Sequence, residues 1–226
     1  MKIIILAAGI GSRLGNPFPK PLTPLKGGQS IMERQIQNVS QHFNEHDITV
    51  VVGFKKDLIM ERFPDLSYIY NQFFDATNTA KSLLKALKKY RDEDVLWLNG
   101  DVIFDAELFT ELKEEINKNN SFISVNTSRV AEEEVKYTLK NGYIDQLSKE
   151  VKNGLGEAVG INFISRKDIS LFIDQLENCD DNDYFERGIE MAIDKSDLKV
   201  KPLDISRYRC MEVDFKEDLE AANKMF

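Results

Sequence analysis

The stretch Lys2-Ile3-Ile4-Ile5-Leu6-Ala7-Ala8-Gly9-Ile10-Gly11-Ser12-Arg13-Leu14 runs into Pro17-Phe18-Pro19-Lys20-Pro21-Leu22. Its opening apolar run is short, unbroken and closed by glycine, which suits a strand buried on both faces. The glycine-rich turn that follows lets backbone N–H groups approach a phosphate without side-chain obstruction. Arg13 adds a fork of donors matched to phosphate oxygens. Lys20 lies between two prolines, so its backbone is stiff and its ammonium is held in place. The Gly-x-Gly-x-x-Gly dinucleotide fingerprint is incomplete here, because Leu14 occupies the third position.

Working outward from that loop, apolar runs at 47–53, 66–70, 94–98 and 121–126 read as further strands, with helices at 30–43, 79–90 and 106–117. Ser30 with Glu33 has the spacing of a capping box. Strand and helix alternate, so the expected fold is α/β: a mostly parallel, Rossmann-like sheet with helices on both faces. From 135 the texture changes. Two strand-like runs flank Asn141-Gly142, the dipeptide preferred in type I′ hairpin turns. We therefore expect one domain over 1–226, with 135–165 inserted as a small antiparallel hairpin or lid. Strands at 159–164, 199–203 and 209–213 and helices at 184–193 and 217–225 complete the reading.

The 226 residues carry a formal net charge of −8, with 30% charged and 42% hydrophobic residues. An acidic balance argues against a general nucleic-acid surface, which rewards clustered Lys and Arg. Cys179 and Cys210 fit no metal or redox spacing and read as reduced thiols of a cytoplasmic protein. The leading apolar run is too short for a secretory core, and no stretch approaches the roughly 20 apolar residues of a membrane span. No membrane or nucleic-acid partner is expected, and a homodimer stays open.

Two aspartates stand at strand ends. Asp101 follows Val95-Leu96-Trp97-Leu98-Asn99-Gly100, and Asp214 follows Met211-Glu212-Val213. Mg²⁺ takes hard oxygen ligands, typically one or two carboxylates completed by substrate phosphates and water. Strand-end carboxylates of a parallel sheet can converge on such an ion. Asp101 as a turn residue and Asp214 as the N-cap of the last helix are the plainer readings.

Leu6-Ala7-Ala8-Gly9-x-Gly11-Ser12-Arg13-Leu14 with Pro19-Lys20 resembles the signature of the nucleotidylyltransferase superfamily of sugar-nucleotide and phosphocholine-type cytidylyltransferases, with its nucleotide-diphospho-sugar transferase-like fold. The stretch before Lys20 is shorter than the family's usual one, and Lys20 remains the matching residue. The resemblance implies that the loop residues Ala7, Ala8, Gly9, Gly11 and Ser12 wrap an NTP, helped by Asn78, Ser82, Asn99 and Gly100. It implies that Arg13 and Lys20 neutralise phosphates in catalysis and that Asp101 and Asp214 hold Mg²⁺. Val135-Lys136, Ser148-Lys149, Gly156-Glu157-x-x-Gly160 and Asp183-Tyr184-x-Glu186 resemble the phosphocholine branch. That likeness implies an acceptor phosphate on Lys136 or Lys149 and an acceptor amine near Glu157, Asp183 or Glu186. Each of these residues also has a plain reading, as a solvated hairpin charge or helix-start acid.

The implied reaction moves a nucleoside monophosphate, CMP from CTP in the favoured branch, onto a small phosphorylated acceptor and releases pyrophosphate. A phosphate monoester has a second pKa of about 6, so the nucleophile is already ionised and needs no general base. His42 and His46 receive no role. The short span between the aspartates favours phosphocholine, another phospho-amine or a phosphopolyol over a hexose 1-phosphate. Few residues follow Asp214, and no repeat-built tail is expected. A sugar-1-phosphate uridylyl- or thymidylyltransferase, a Rossmann oxidoreductase and a non-catalytic nucleotide-binding protein are the competing readings. The oxidoreductase lacks an acidic residue at a strand end about 20 positions after the glycines.

Overall fold

Alternating side chains of the first strand enter two separate apolar layers, and the rest of the molecule is arranged around that division. The structure, a computed structural model, describes residues 1–128, 130 and 134–226. Its strands are β1 (Lys2–Ala7), β2 (Ile48–Val52), β3 (Ser67–Tyr70), β4 (Val95–Asn99), β5 (Val102–Phe104), β6 (Phe122–Asn126), β7 (Lys136–Lys140), β8 (Tyr143–Ser148), β9 (Glu157–Ile164), β10 (Lys201–Asp204) and β11 (Cys210–Glu212). Its α-helices are α1 (Ile31–Ser40), α2 (Lys56–Arg62), α3 (Thr79–Lys89), α4 (Leu108–Asn117), α5 (Ile169–Asn178), α6 (Phe185–Ser196) and α7 (Lys216–Met225).

The main sheet has the order β10-β6-β9-β4-β1-β2-β3. β1 pairs in parallel with β2 and β4, β3 continues the parallel run beyond β2, and β10 pairs in parallel with β6. Only β9 runs against its neighbours β4 and β6 in that row. Ile4 and Leu6 of β1 join α3, α5 and α6 in one buried layer around Trp97, Phe172 and Phe185. Ile3, Ile5 and Ala7 enter the opposite layer with α1, α2 and α4. The period-2 alternation of a strand makes this two-sided burial possible, and it explains why β1 is apolar throughout.

The capping box before α1 is formed. Glu33 N–H donates to Ser30 Oγ at 3.2 Å, and Ser30 N–H donates to Glu33 Oε2 at 2.6 Å. The Asn141-Gly142 turn has positive φ at both residues, 54° and 82°, as type I′ geometry requires, and joins β7 to β8.

The antiparallel insertion is shorter than 135–165. β9 belongs to the centre of the main sheet, where Val159, Gly160, Ile161, Asn162, Phe163 and Ile164 are buried. A strand covered on both faces is a core strand, which limits the rim piece to β7 and β8. Two helices have no counterpart in the expected pattern. α2 is short and buries only Ile59, whereas α5 repeats Ile169, Phe172, Ile173 and Leu176 at helical spacing. β5 is also new and pairs antiparallel with β11. This small ribbon brings Met211 and Val213 against Leu14 and Ile31, tying the C-terminal segment to the first loop.

Candidate functional site

At the carboxyl end of β1 and β4 a cleft of about 640 Å³ opens. The first loop forms one wall. Gly11 has φ 66°, and a Cβ there would stand 2.9 Å from Lys20 Cβ. Glycine at this position therefore permits both the left-handed turn and the close passage of the lysine stem. Gly11 opens a short 3₁₀ turn, Ser12–Leu14, and a second, Lys20–Leu22, begins after Pro19. Through these turns Lys20 faces the carboxylates of Asp101, from the middle of the chain, and Asp214, from near its end, and Arg13 faces Asp214.

Asp101 sits in the turn between β4 and β5. Gln35, fully buried on α1, straps that turn by donating from Nε2 to the carbonyls of Asn99 and Val102, both at 2.8 Å. The Val213 N–H donates to the Asp101 carbonyl at 3.0 Å, which places Asp214 beside Asp101. Lys20 Nζ then donates to Asp101 Oδ2 at 2.6 Å and to Asp214 Oδ1. Arg13 donates to Asp214 Oδ2 at 3.1 Å. The capping role that Asp214 could have taken falls to Asp218, whose Oδ2 accepts from the N–H groups of Asp214 and Phe215. The Asp214 side chain is thereby left to the cations.

Burial pulls the Lys20 ammonium down, but the charges of Asp101 and Asp214 and the hydrogen bonds to both more than offset it. Its pKa ends above the ordinary lysine value. Burial likewise pushes Asp214 up, and Lys20, with help from Arg13 and Lys149, brings it below the ordinary carboxylate range.

The opposite wall is acidic. Glu212 points into the cleft two residues before Asp214, and its Oε1 accepts from Asn99 Nδ2 at 3.2 Å. Burial raises its pKa well above the ordinary value, and the charges of Asp101, Glu134 and Glu186 add to the rise. Glu186, at the start of α6, is pushed up to about 7, chiefly by burial and further by Glu134, against the pull of its own backbone N–H and of Lys149. Its Oε2 is buried without a hydrogen-bond partner. Tyr184 and Phe215 flank the mouth, with Lys149 Nζ 5.4 Å from the Tyr184 ring centre and the Arg13 guanidinium 5.8 Å from that of Phe215. Gly160 has φ 62°, and a Cβ there would come within 2.7 Å of both Asn99 Nδ2 and Glu212 Oε1.

Of the residues singled out from sequence, Ala7, Gly9, Gly11, Arg13 and Lys20 line the cleft together with Asn99, Gly100, Asp101 and Asp214. Lys149, Glu157 and Glu186 line it as well. The others lie elsewhere. Ala8 is buried behind the loop, where its carbonyl accepts from Phe54, and the Ser12 side chain faces solvent. Asn78 caps α3 and donates to the Asn182 carbonyl, and Ser82 Oγ accepts from Asn71 within the core. Thr79 reaches the cleft in their place. Asp183 closes a turn by accepting from the Asp180 N–H, and Lys136 lies on β7 outside the cleft wall. Glu212, Glu134 and Gln35 went unread in the sequence. Glu212 had a usable signal, since residues i and i+2 of a strand share a face and Asp214 was already marked. Gln35 had none, because a polar residue inside a helical repeat reads as surface.

The donor set suits a divalent cation. Asp101 Oδ1 is buried and has no hydrogen-bond partner, although its sister oxygen and the carboxylate of Asp214 are engaged. Among the described residues no group of three or more His, Cys, Asp or Glu gathers as a complete metal cage. Two carboxylates are what an ion needs when phosphates and water supply its remaining ligands.

A family model for the MobA-like NTP transferase domain matches residues 3–177, and the chain belongs to that family. It is 38% identical to the bifunctional protein GlmU of Methanococcus maripaludis strain C5 over 115 residues, covering 48% of this chain and 26% of that protein. It is 31% identical to the CMP-5'-(3-aminopropyl)phosphonate synthase of Streptomyces rubellomurinus over 121 residues, 50% of this chain and 19% of that one. The chain thus matches well under half the length of these curated relatives. Among the solved structures that share the fold, a putative glucose-1-phosphate thymidylyltransferase from Bacillus anthracis superposes with a TM-score of 0.76 at 20% identity, covering 100% of this chain and 94% of that one. The inositol-1-phosphate CTP transferase from T. maritima superposes with a TM-score of 0.77 at 17% identity, covering 99% of this chain and 94% of that one. The CTP:phosphocholine cytidylyltransferase LicC from Streptococcus pneumoniae superposes with a TM-score of 0.74 at 19% identity, covering 99% and 98%. Among the described residues no helix is long and apolar enough to cross a membrane.

Proposed function

We propose that this chain is a nucleotidyltransferase that moves CMP from CTP onto a small acceptor carrying a phosphate or phosphonate and an amine. One observation carries the reading: Lys20, from the loop after the first strand, meets two carboxylates from distant strand ends inside the cleft at the carboxyl end of β1 and β4. Membership of the MobA-like NTP transferase family supports the reading.

In the reaction an acceptor oxygen, already ionised near neutrality, attacks the α-phosphorus of the nucleotide. The new P–O bond forms as the bond to the β-phosphate oxygen breaks, and pyrophosphate leaves with the electron pair. Two polyanions must meet, so positioning and charge neutralisation carry the catalysis. Arg13 and Lys20 supply fixed positive charge beside the loop whose N–H groups receive the phosphates. Asp101 and Asp214 would hold Mg²⁺, whose charge, when bound, neutralises phosphate oxygens. Lys149 stands across the cleft for the acceptor phosphate, and its position above Tyr184 keeps it at the mouth.

The acidic wall supports an amine on the acceptor. Burial holds Glu212 and Glu186 above the ordinary carboxylate range, with neighbouring acids adding to the rise of each, and an ammonium placed beside them would favour their charged forms. The names of three of the similar proteins, a CMP-5'-(3-aminopropyl)phosphonate synthase, an inositol-1-phosphate CTP transferase and a CTP:phosphocholine cytidylyltransferase, agree with CTP as donor.

Pyrophosphate release over four NTPs and a panel of acceptors with Mg²⁺ tests the reading. The panel holds phosphocholine, phosphoethanolamine, (3-aminopropyl)phosphonate, inositol 1-phosphate and glucose 1-phosphate. CTP-selective release with an amine-bearing acceptor is expected. Turnover of UTP or dTTP with glucose 1-phosphate would overturn it.

A further inference from the structure

We infer that Lys20 is a resident counter-ion for the Asp101–Asp214 pair, displaced by an arriving nucleotide, so that divalent-ion binding is coupled to nucleotide binding. The inference rests on the reading of those two aspartates as a cation site.

The two carboxylates belong to different elements and would repel each other unpartnered. Lys20 Nζ contacts an oxygen of each, and its side chain is only 11% exposed. An ammonium so enclosed is a fixed part of the site. A divalent ion arriving alone therefore meets two carboxylates whose charges are already met by Lys20 between them and by Arg13 on the outer oxygen of Asp214. To bind, it must part Lys20 from both carboxylates at once while bringing no anion of its own to receive the ammonium.

A nucleotide changes this balance. The glycine loop that would receive its phosphates packs directly on the Lys20 stem at Gly11, so a phosphate there lies within the lysine's reach. Turning to the phosphate, Lys20 leaves Asp101 without its cation and Asp214 with Arg13 alone, and Asp101 Oδ1 is already without a hydrogen bond. Their demand for a cation then rises. By thermodynamic reciprocity the ion must tighten the nucleotide by the same factor.

The test is direct binding of Mn²⁺ to the protein without nucleotide, read as free Mn²⁺ by electron paramagnetic resonance. Lys20→Met is expected to bind Mn²⁺ at least tenfold more tightly than the wild type, and its melting temperature should rise more on adding Mn²⁺. Lys20→Arg, which keeps the charge, is expected to bind as weakly as the wild type. If Lys20→Met binds no more tightly while Asp101→Asn weakens binding in both backgrounds, the counter-ion role is wrong and the metal site stands. If Asp101→Asn leaves Mn²⁺ binding to Lys20→Met unchanged, the metal-site reading itself fails. The lysine ammonium resonances of ¹⁵N-labelled wild-type protein give a check that needs no unstable variant. CTP in EDTA should move the Lys20 signal, identified by its loss in Lys20→Arg, and millimolar Mg²⁺ alone should leave it in place. A signal moved by Mg²⁺ alone, or unmoved by CTP, overturns the inference.

Discussion

The two walls of the cleft hold the same kind of side chain in opposite states. On the loop side, Asp214 is kept below the ordinary carboxylate range because Lys20 and Arg13 reach it. On the far side, Glu186 and Glu212 are pushed above it because they are buried beside other acids without a cation of comparable closeness. Burial acts on both walls alike, so the presence of a fixed cation decides which carboxylates stay ionised. The loop wall is electrostatically complete, while the far wall is poised for a positive group that a ligand can bring.

The largest effect that could break this contrast is on the loop wall. Lys20→Met should lower kcat/KM by a factor on the order of 10²–10³, as expected for losing a fixed charge that stabilises the transition state. Steady-state pyrophosphate release measures it, and a change under threefold would mean that the two walls do not divide the work in this way.

The far wall answers to pH. Glu186 has a folded pKa of about 7, raised from 4.5. Between those values the folded chain keeps a proton that the unfolded chain has released, so stability falls as pH rises through that window. Glu186→Gln should therefore raise the melting temperature at pH 8, by the equivalent of up to about 3 kcal/mol, and leave it unchanged at pH 4. The same substitution should raise KM for an amine-bearing acceptor about tenfold or more, by loss of a charge-assisted contact. Equal stabilisation at both pH values would show that burial, and not ionisation, sets the cost.

Smaller effects sharpen the boundary. Gly160→Ala places a Cβ at a left-handed backbone position against Asn99 and Glu212. It should cost about 1–2 kcal/mol of stability, read as a lowered midpoint in urea. Lys149→Ala should raise acceptor KM about tenfold. Lys136→Ala, outside the cleft wall, should change it less than twofold, which kinetics on the two variants would separate.

How far the sequence disclosed this contrast follows from how local each signal is. β1, the glycine turn, the Ser30–Glu33 box and the Asn141-Gly142 hairpin were legible because each is written in a few neighbouring residues. Lys20, Asp101 and Asp214 were legible as strand-end or loop residues, but their meeting depends on the β5–β11 ribbon, which joins segments over a hundred positions apart and leaves no local trace. β9 was read as rim because it follows a hairpin. Its place between β4 and β6 is set by long-range pairing. Asn78 and Ser82 lie outside the cleft lining for a related reason. A polar residue at a helix start can face a ligand or its own backbone, and only tertiary packing chooses.

The central claim is that nucleotide and acceptor meet at the α-phosphorus. Incubation with CTP radiolabelled at the α-phosphate, in parallel with CTP labelled at the γ-phosphate, tests it most directly, using (3-aminopropyl)phosphonate and phosphocholine as acceptors with Mg²⁺. The account predicts α-label in an acceptor–CMP product and γ-label in pyrophosphate alone. Transfer of the γ-label to either acceptor, or release of α-label only as free CMP, would contradict it.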